Sequence, residues 1–133
     1  FPDPPLLGST PIEKAVIADR VWRVETDGWQ AMTEALRNLA PGMKDRALTG
    51  AENYAQIPAL GERGKLRTVR FLSHLDGLLA DSAYLAGDRF SAADIMAMVV
   101  VDFAGWLKIS LPAEAAHALR WYAAVSSRPS AKL

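Results

Sequence analysis

The sequence predicts an all-α fold, a helical bundle assembled around one buried central helix, and three observations carry that prediction. No window alternates apolar and polar residues at period two, so no half-buried strand is signalled. Apolar residues instead recur every three to four positions through residues 10–39 and again through 58–80, the period of a helix with one buried face. The stretch Ile95 to Leu107 is apolar on nearly every side, broken only by Asp102 and Gly105, as expected of a helix threading a core.

Each element has its own justification. Residues 1–9 are Pro-rich, extended and linker-like. Thr10-Pro11-Ile12-Glu13 then supplies a capping hydroxyl, a Pro at the first helical position and a Glu three residues after the cap. The helix it opens should run to about Leu39, where Pro41-Gly42 stops it, with Gly28 a tolerated weak point. Ile17, Val21, Val24, Gly28, Met32 and Leu39 form one apolar band on this helix, and Trp22, Trp29 and Leu36 form another. One band can face the bundle; the other needs a further partner. Residues 41–56 read as loop or short irregular helix.

A second long helix fits from about Pro58 to Ala80, where Gly61, Gly64 and Thr68 would let another backbone come close. A third follows Ser91, and a fourth covers roughly Ala113 to Val125. Arg128-Pro129-Ser130 begins a last turn. The third start is the best specified. Ser91 is placed as N-cap, Asp94 at the third helical position can return the bond to the Ser91 amide, and Phe90 with Ile95 forms a hydrophobic staple.

Composition excludes several function classes. The chain of 133 residues is one domain, and its 15 basic and 15 acidic residues cancel, leaving no global field to draw in nucleic acid or an acidic membrane. It has no cysteine, which removes disulfides, thiolate metal sites and a cysteine nucleophile and favours a reducing compartment. The longest apolar run, Ile95 to Val101, falls far short of the roughly 20 residues a bilayer demands. The first residues lack the basic region and apolar core of a signal peptide, and without a Met they read as the continuation of something upstream.

Candidate chemistry is sparse. A narrow polar strip, Arg20, Arg23, Asp27, Gln30 and Glu34, follows the first helix, with Arg23–Asp27 as an i,i+4 pair. Asp102, alone in an apolar helix, reads as a buried carboxylate that is paired or hydrogen-bonded. Trp106 reads as core packing. Arg63, Arg67 and Arg70, with Lys65 nearby, form a basic face that reads first as solvated or ion-paired across a dimer, with binding of an anion or an RNA phosphate as the alternative. His74 and His117 lack metal-ligand spacing, so no metal site is expected.

Leu85-Ala86-Gly87-Asp88-Arg89 ahead of the cap and Ala93-Asp94-Ile95 within it make the pattern more specific. Together with Trp121-Tyr122 and Ser127-Arg128-Pro129-Ser130, it resembles the all-helical C-terminal domain of glutathione transferases, bacterial type, along essentially the whole chain. That resemblance makes residues 1–9 the remnant of an interdomain linker and 10–133 the helical domain, with a thioredoxin-like domain upstream as the missing partner. It implies a cytoplasmic, homodimeric detoxification enzyme that conjugates glutathione, its co-substrate, to small hydrophobic electrophiles. It implies no metal, nucleic acid or membrane partner. The catalytic residue would lie in the other domain, so this chain alone should be inactive. The electrophile cleft would then include Arg20, Arg23, Asp27, Phe103 and Trp106. The same scaffold also serves as a non-catalytic interaction module in translation or regulatory complexes, and as a sister enzyme using glutathione for dehalogenation or isomerisation.

Overall fold

The computed structural model describes residues 3–132; Phe1 and Pro2 of the expected linker, and Leu133, lie outside the described residues. Four helical rods make the fold. The first is composite: α1 (Pro11–Arg23), a π-helical turn (Val24–Trp29) and α2 (Gln30–Leu39) follow without a break. The others are α3 (Pro58–Leu78), α4 (Ala92–Trp106) and α5 (Ala116–Ser126), with short 3-10 turns at Pro41–Met43 and Pro129–Ala131. No strand forms among the described residues, which hold only two isolated bridges, Arg46–Tyr54 and Tyr84–Gly87.

The start of α1 is fixed by a reciprocal cap. Thr10 Oγ1 accepts from the Glu13 amide at 3.2 Å, and Glu13 Oε2 accepts from the amides of Thr10 at 3.1 Å and Ser9 at 2.8 Å. Those two backbone donors, Thr10 first, hold the Glu13 carboxyl below the usual carboxylate range. The preceding segment is tied down as well, because the Ala92 amide at the start of α4 donates to the Leu6 carbonyl at 3.0 Å. Residues 6–10 thus serve the free amides of two helices at once.

Two glycines set how closely the rods approach. A Cβ on Gly64 would lie 2.5 Å from the Ala35 amide nitrogen and 2.7 Å from the Ala31 carbonyl oxygen, so α2 and α3 touch backbone to backbone. Thr68, one turn further on and fully buried, returns its hydroxyl to the Gly64 carbonyl at 2.9 Å. A Cβ on Gly28, the fifth of the six residues of the π turn, would lie 2.7 Å from the Phe71 ring. The wider turn leaves the Thr26 carbonyl available, and Arg67 Nη2 of α3 donates to it at 2.7 Å.

That turn also corrects an expected pair. Arg23 bonds back to Asp19 at 2.9 Å, not forward to Asp27. The widening begins at Val24, directly after Arg23, and changes the forward i,i+4 register.

The core is closed by Trp121, Met32, Leu72, Leu75, Leu79, Val100 and Val125, all fully buried. Against them α4 presents a run of small residues, Ala93, Ala97 and Ala104 beside Val100 and Val101. Small side chains let a central helix be approached closely from its inner face. Its outer side is less covered, with Met98 and Val99 half-buried and Ile95 39% exposed.

At the head of α4 the capping box forms around Asp94, which is fully buried. Its Oδ2 accepts from the Ser91 amide at 2.9 Å and the Ser91 hydroxyl at 3.0 Å. Its Oδ1 accepts from the Leu85 amide and the Trp121 indole N–H, each at 2.9 Å. One carboxylate thereby joins the loop before α4, the cap and α5. Phe90 lies edge-on to Tyr84, 5.9 Å between ring centres, with the Arg128 guanidinium 3.8 Å over its face.

Helix α5 begins three residues later than expected and takes its cap from elsewhere. Asp76 Oδ1 of α3 accepts from the His117 amide at 2.7 Å and the Ala118 amide at 3.0 Å. In return Arg120 of α5 donates to the carbonyls of Leu79 at 3.0 Å and Ser82 at 2.8 Å, closing the end of α3. His117 therefore acts through its backbone.

Candidate functional site

The residues expected to line one cleft fall into two places. Arg20, Arg23 and Asp27 lie together on the wall of a groove of roughly 630 Å³ between the first rod and α3. Its apolar lining is Val24, Phe71 and Leu85, all buried, with the exposed Leu78, and the side formed by α3 carries Arg67, Arg70 and His74. Arg20 is held there by donating Nε to the Leu85 carbonyl at 3.1 Å. Phe103 and Trp106 do not line this groove.

They belong instead to an aromatic line that runs out along α4. The Trp29 and Phe103 rings meet edge-on at 5.8 Å, and Phe103 meets Trp106 edge-on at 4.5 Å. Trp29 comes from the end of the π turn, whose extra residue sets the direction of its side chain. Trp106, expected in the core, is 67% exposed. It is the last residue of α4, beyond the layer closed by Val100 and Ala104, so the bundle has nothing to lay over it.

The isolated carboxylate of α4 is corrected too. Asp102 is exposed rather than buried, but it is hydrogen-bonded as expected, accepting from the Tyr122 hydroxyl of α5. Its position is set by the outer side of α4, which this chain leaves open. The Tyr122 phenol is pushed up to about 12, first by that hydrogen bond and then by partial burial and the Asp102 charge. A phenol raised above its unfolded value of about 10 stabilises the fold fully below that pH. The contribution then fades as pH climbs through about 12. Asp102→Asn should bring the Tyr122 titration back toward about 10 in an ultraviolet difference titration against the parent. An unchanged curve would mean that burial, not the pair, sets the phenol.

The basic face of α3 is largely paired within the chain. Arg63 forms a two-point ion pair with Glu34, and Arg67 approaches the same carboxylate at 3.6 Å. The Arg63 hydrogen bond, ahead of the arginine charges, holds Glu34 below the usual carboxylate range. Lys65 pairs with Glu62 at 3.3 Å. Arg70 has no carboxylate within ion-pairing distance among the described residues.

Sequence reasoning placed Asp94 in its cap but missed its contact with Trp121, 27 positions away. It also missed Trp29 as the inner end of the aromatic line. The apolar period marked Trp29 as needing a partner, and no local signal names Phe103.

Comparison with known proteins agrees with the fold. Residues 47–129 match the family described as glutathione S-transferase, C-terminal domain. Glutathione S-transferase 2 of Saccharomyces cerevisiae is 31% identical over 129 residues, covering 97% of this chain and 53% of the yeast protein. Among solved structures, Gtt2 from Saccharomyces cerevisiae superposes with a TM-score of 0.85 at 29% identity, covering 96% of this chain and 59% of that one. A glutathione S-transferase domain-containing protein of Marinobacter aquaeolei VT8 gives 0.83 at 33% identity, covering 95% of this chain and 59% of that one. A Gtt2-class enzyme of Vibrio parahaemolyticus gives 0.79 at 31%, covering 96% and 56%. The chain thus spans about half the length of the curated relative it matches. On the family match and these relatives, the chain belongs to the glutathione S-transferase C-terminal domain family.

Proposed function

We propose that this chain is the substrate-holding half of a glutathione transferase that joins glutathione to small hydrophobic electrophiles. The observation that carries the reading is the aromatic line Trp29–Phe103–Trp106, which ends in an exposed indole on a helix whose outer side is only partly covered. An apolar electrophile laid on those rings would be oriented for attack by a thiolate sulfur, which forms the new bond to carbon. The thiolate would be held by a thioredoxin-like domain of the same protein, joined through residues 1–9, and the relatives' greater length leaves room for one. Arg20, Arg23 and Asp27 line the separate groove between the first rod and α3 and would border the same cleft once the thioredoxin-like domain is in place. A homodimer acting in the cytoplasm in detoxification completes the proposal.

The experiment is a split of Michaelis constants in the full-length protein. Trp106→Ala and Phe103→Ala should raise the KM for an aromatic electrophile roughly tenfold while the KM for glutathione stays put. Equal shifts in both constants, or none in the first, would reject the assignment. The 133-residue chain alone should not bind glutathione in titration calorimetry, and micromolar binding would overturn the division of labour.

A further inference from the structure

We infer that a second groove, between the C-terminal half of α4 and α5, is a binding site for an organic cation, an ammonium group carried on a short apolar body. Charge is the first reason. Among the described residues, Asp102 is the only charged side chain lining this groove, and it is exposed. Its Oδ1 accepts from the Tyr122 hydroxyl, while Oδ2 takes no hydrogen bond among the described residues. No basic group among them comes within ion-pairing distance either, Lys108 included. The Tyr122 phenol, pushed up to about 12, keeps its proton at neutral pH and goes on donating to Oδ1, which leaves Oδ2 for a cation. Ser110 adds a hydroxyl to the same lining, a second acceptor for an ammonium N–H.

The second reason is the rest of the lining, which is largely apolar. Val101 and Leu111 are buried, Ile109 is half-buried, and Leu119 of α5 stands 40% exposed. A fully hydrated inorganic cation would leave that surface wet, whereas an alkyl or aryl body would cover it. A volume of roughly 380 Å³ is that of a small-molecule site. Gly105 keeps the α4 side clear, since nothing lies within 4 Å of where its Cβ would stand. Neither Phe103 nor Trp106 lines this groove, so the site stands apart from the electrophile reading.

The test titrates the 133-residue chain at neutral pH with three ligands of one shape, hexylamine, hexanol and hexanoate, followed by nitrogen–proton NMR. Hexylamine should bind at least about fivefold more tightly than hexanol, with hexanoate weakest. The shifts should centre on the amides of Gly105 and Ser110. Asp102→Asn should erase the preference for hexylamine and leave the hexanol affinity within about twofold, because the amide oxygen still accepts from Tyr122. Gly105→Leu should abolish hexylamine binding while the melting temperature holds or rises, since the change fills open space and replaces a helical glycine. Equal affinity for hexylamine and hexanol would overturn the site. So would an Asp102→Asn protein that keeps the preference, or shifts that spare Gly105 and Ser110.

Discussion

Replacing Asp94 by alanine is expected to cost about 5 kcal/mol and leave most of the chain unfolded at ordinary temperature. Four donors converge on this carboxylate: the amides of Leu85 and Ser91, the Ser91 hydroxyl and the Trp121 indole. Alanine leaves all four without an acceptor, and Ser91 and Trp121 are almost wholly out of water. Each stranded donor costs about 1–3 kcal/mol, partly relieved where the loop before α4 can shift toward solvent. A domain of this size has only about 5–15 kcal/mol in hand. Asp94→Asn should fall between, because its oxygen still serves one side while its NH2 faces donors on the other. Ser91→Ala removes one donor and should cost about 1 kcal/mol. Urea unfolding followed by far-ultraviolet circular dichroism would rank the three. If Ser91→Ala matched Asp94→Ala, the carboxylate would be acting only as a cap partner.

Gly64→Ala should be the second most damaging change, at about 3 kcal/mol net and roughly 10 °C in melting temperature. Helix propensity alone favours alanine by about 1 kcal/mol, so the sign rests on the contact. The new Cβ would meet the Ala35 amide nitrogen at 2.5 Å and the Ala31 carbonyl at 2.7 Å, and backbone cannot swing aside as a side chain can. Rods α2 and α3 would have to separate, loosening Thr68 and Leu72 behind them. Gly28→Ala has a similarly short contact, 2.7 Å, but to the edge of the Phe71 ring, which can tilt. Thermal melts should therefore place Gly28→Ala between Gly64→Ala and the parent. The reverse order would mean that the π turn, not the α2–α3 contact, is the tighter joint.

The starts of α1, α3 and α4 were legible because their signals are local: Thr10 with Glu13, Pro58, and Ser91 with Asp94. The close approach at Gly64 and Thr68 was legible for a related reason, since small residues at helical spacing have few other uses in a long amphipathic helix. The start of α5 was not, because its cap comes from Asp76, 41 positions upstream. Asp102 and Trp106 misled for one physical reason. A helix apolar on all sides announces that every side is to be covered, without saying that this stretch of chain does the covering. The groove's charged and imidazole side chains were each noted, Arg20, Arg23 and Asp27 on one helix and Arg67, Arg70 and His74 on another. Only the packing of α1 against α3 makes them neighbours.

The π turn at Val24–Trp29 carries one residue more than an ordinary helix needs to connect the same two ends. Excising a single position there would let the coil close to standard pitch with both flanks still in phase. The same excision in the middle of α3 would turn everything downstream by about 100° and pull Phe71 and Leu75 out of their seats. A length change in the first rod therefore keeps the flanking helices in phase at one address, at the cost of the Arg67–Thr26 bond and the aim of Trp29, and breaks the register elsewhere, so homologues that differ by one residue in this helix should differ there.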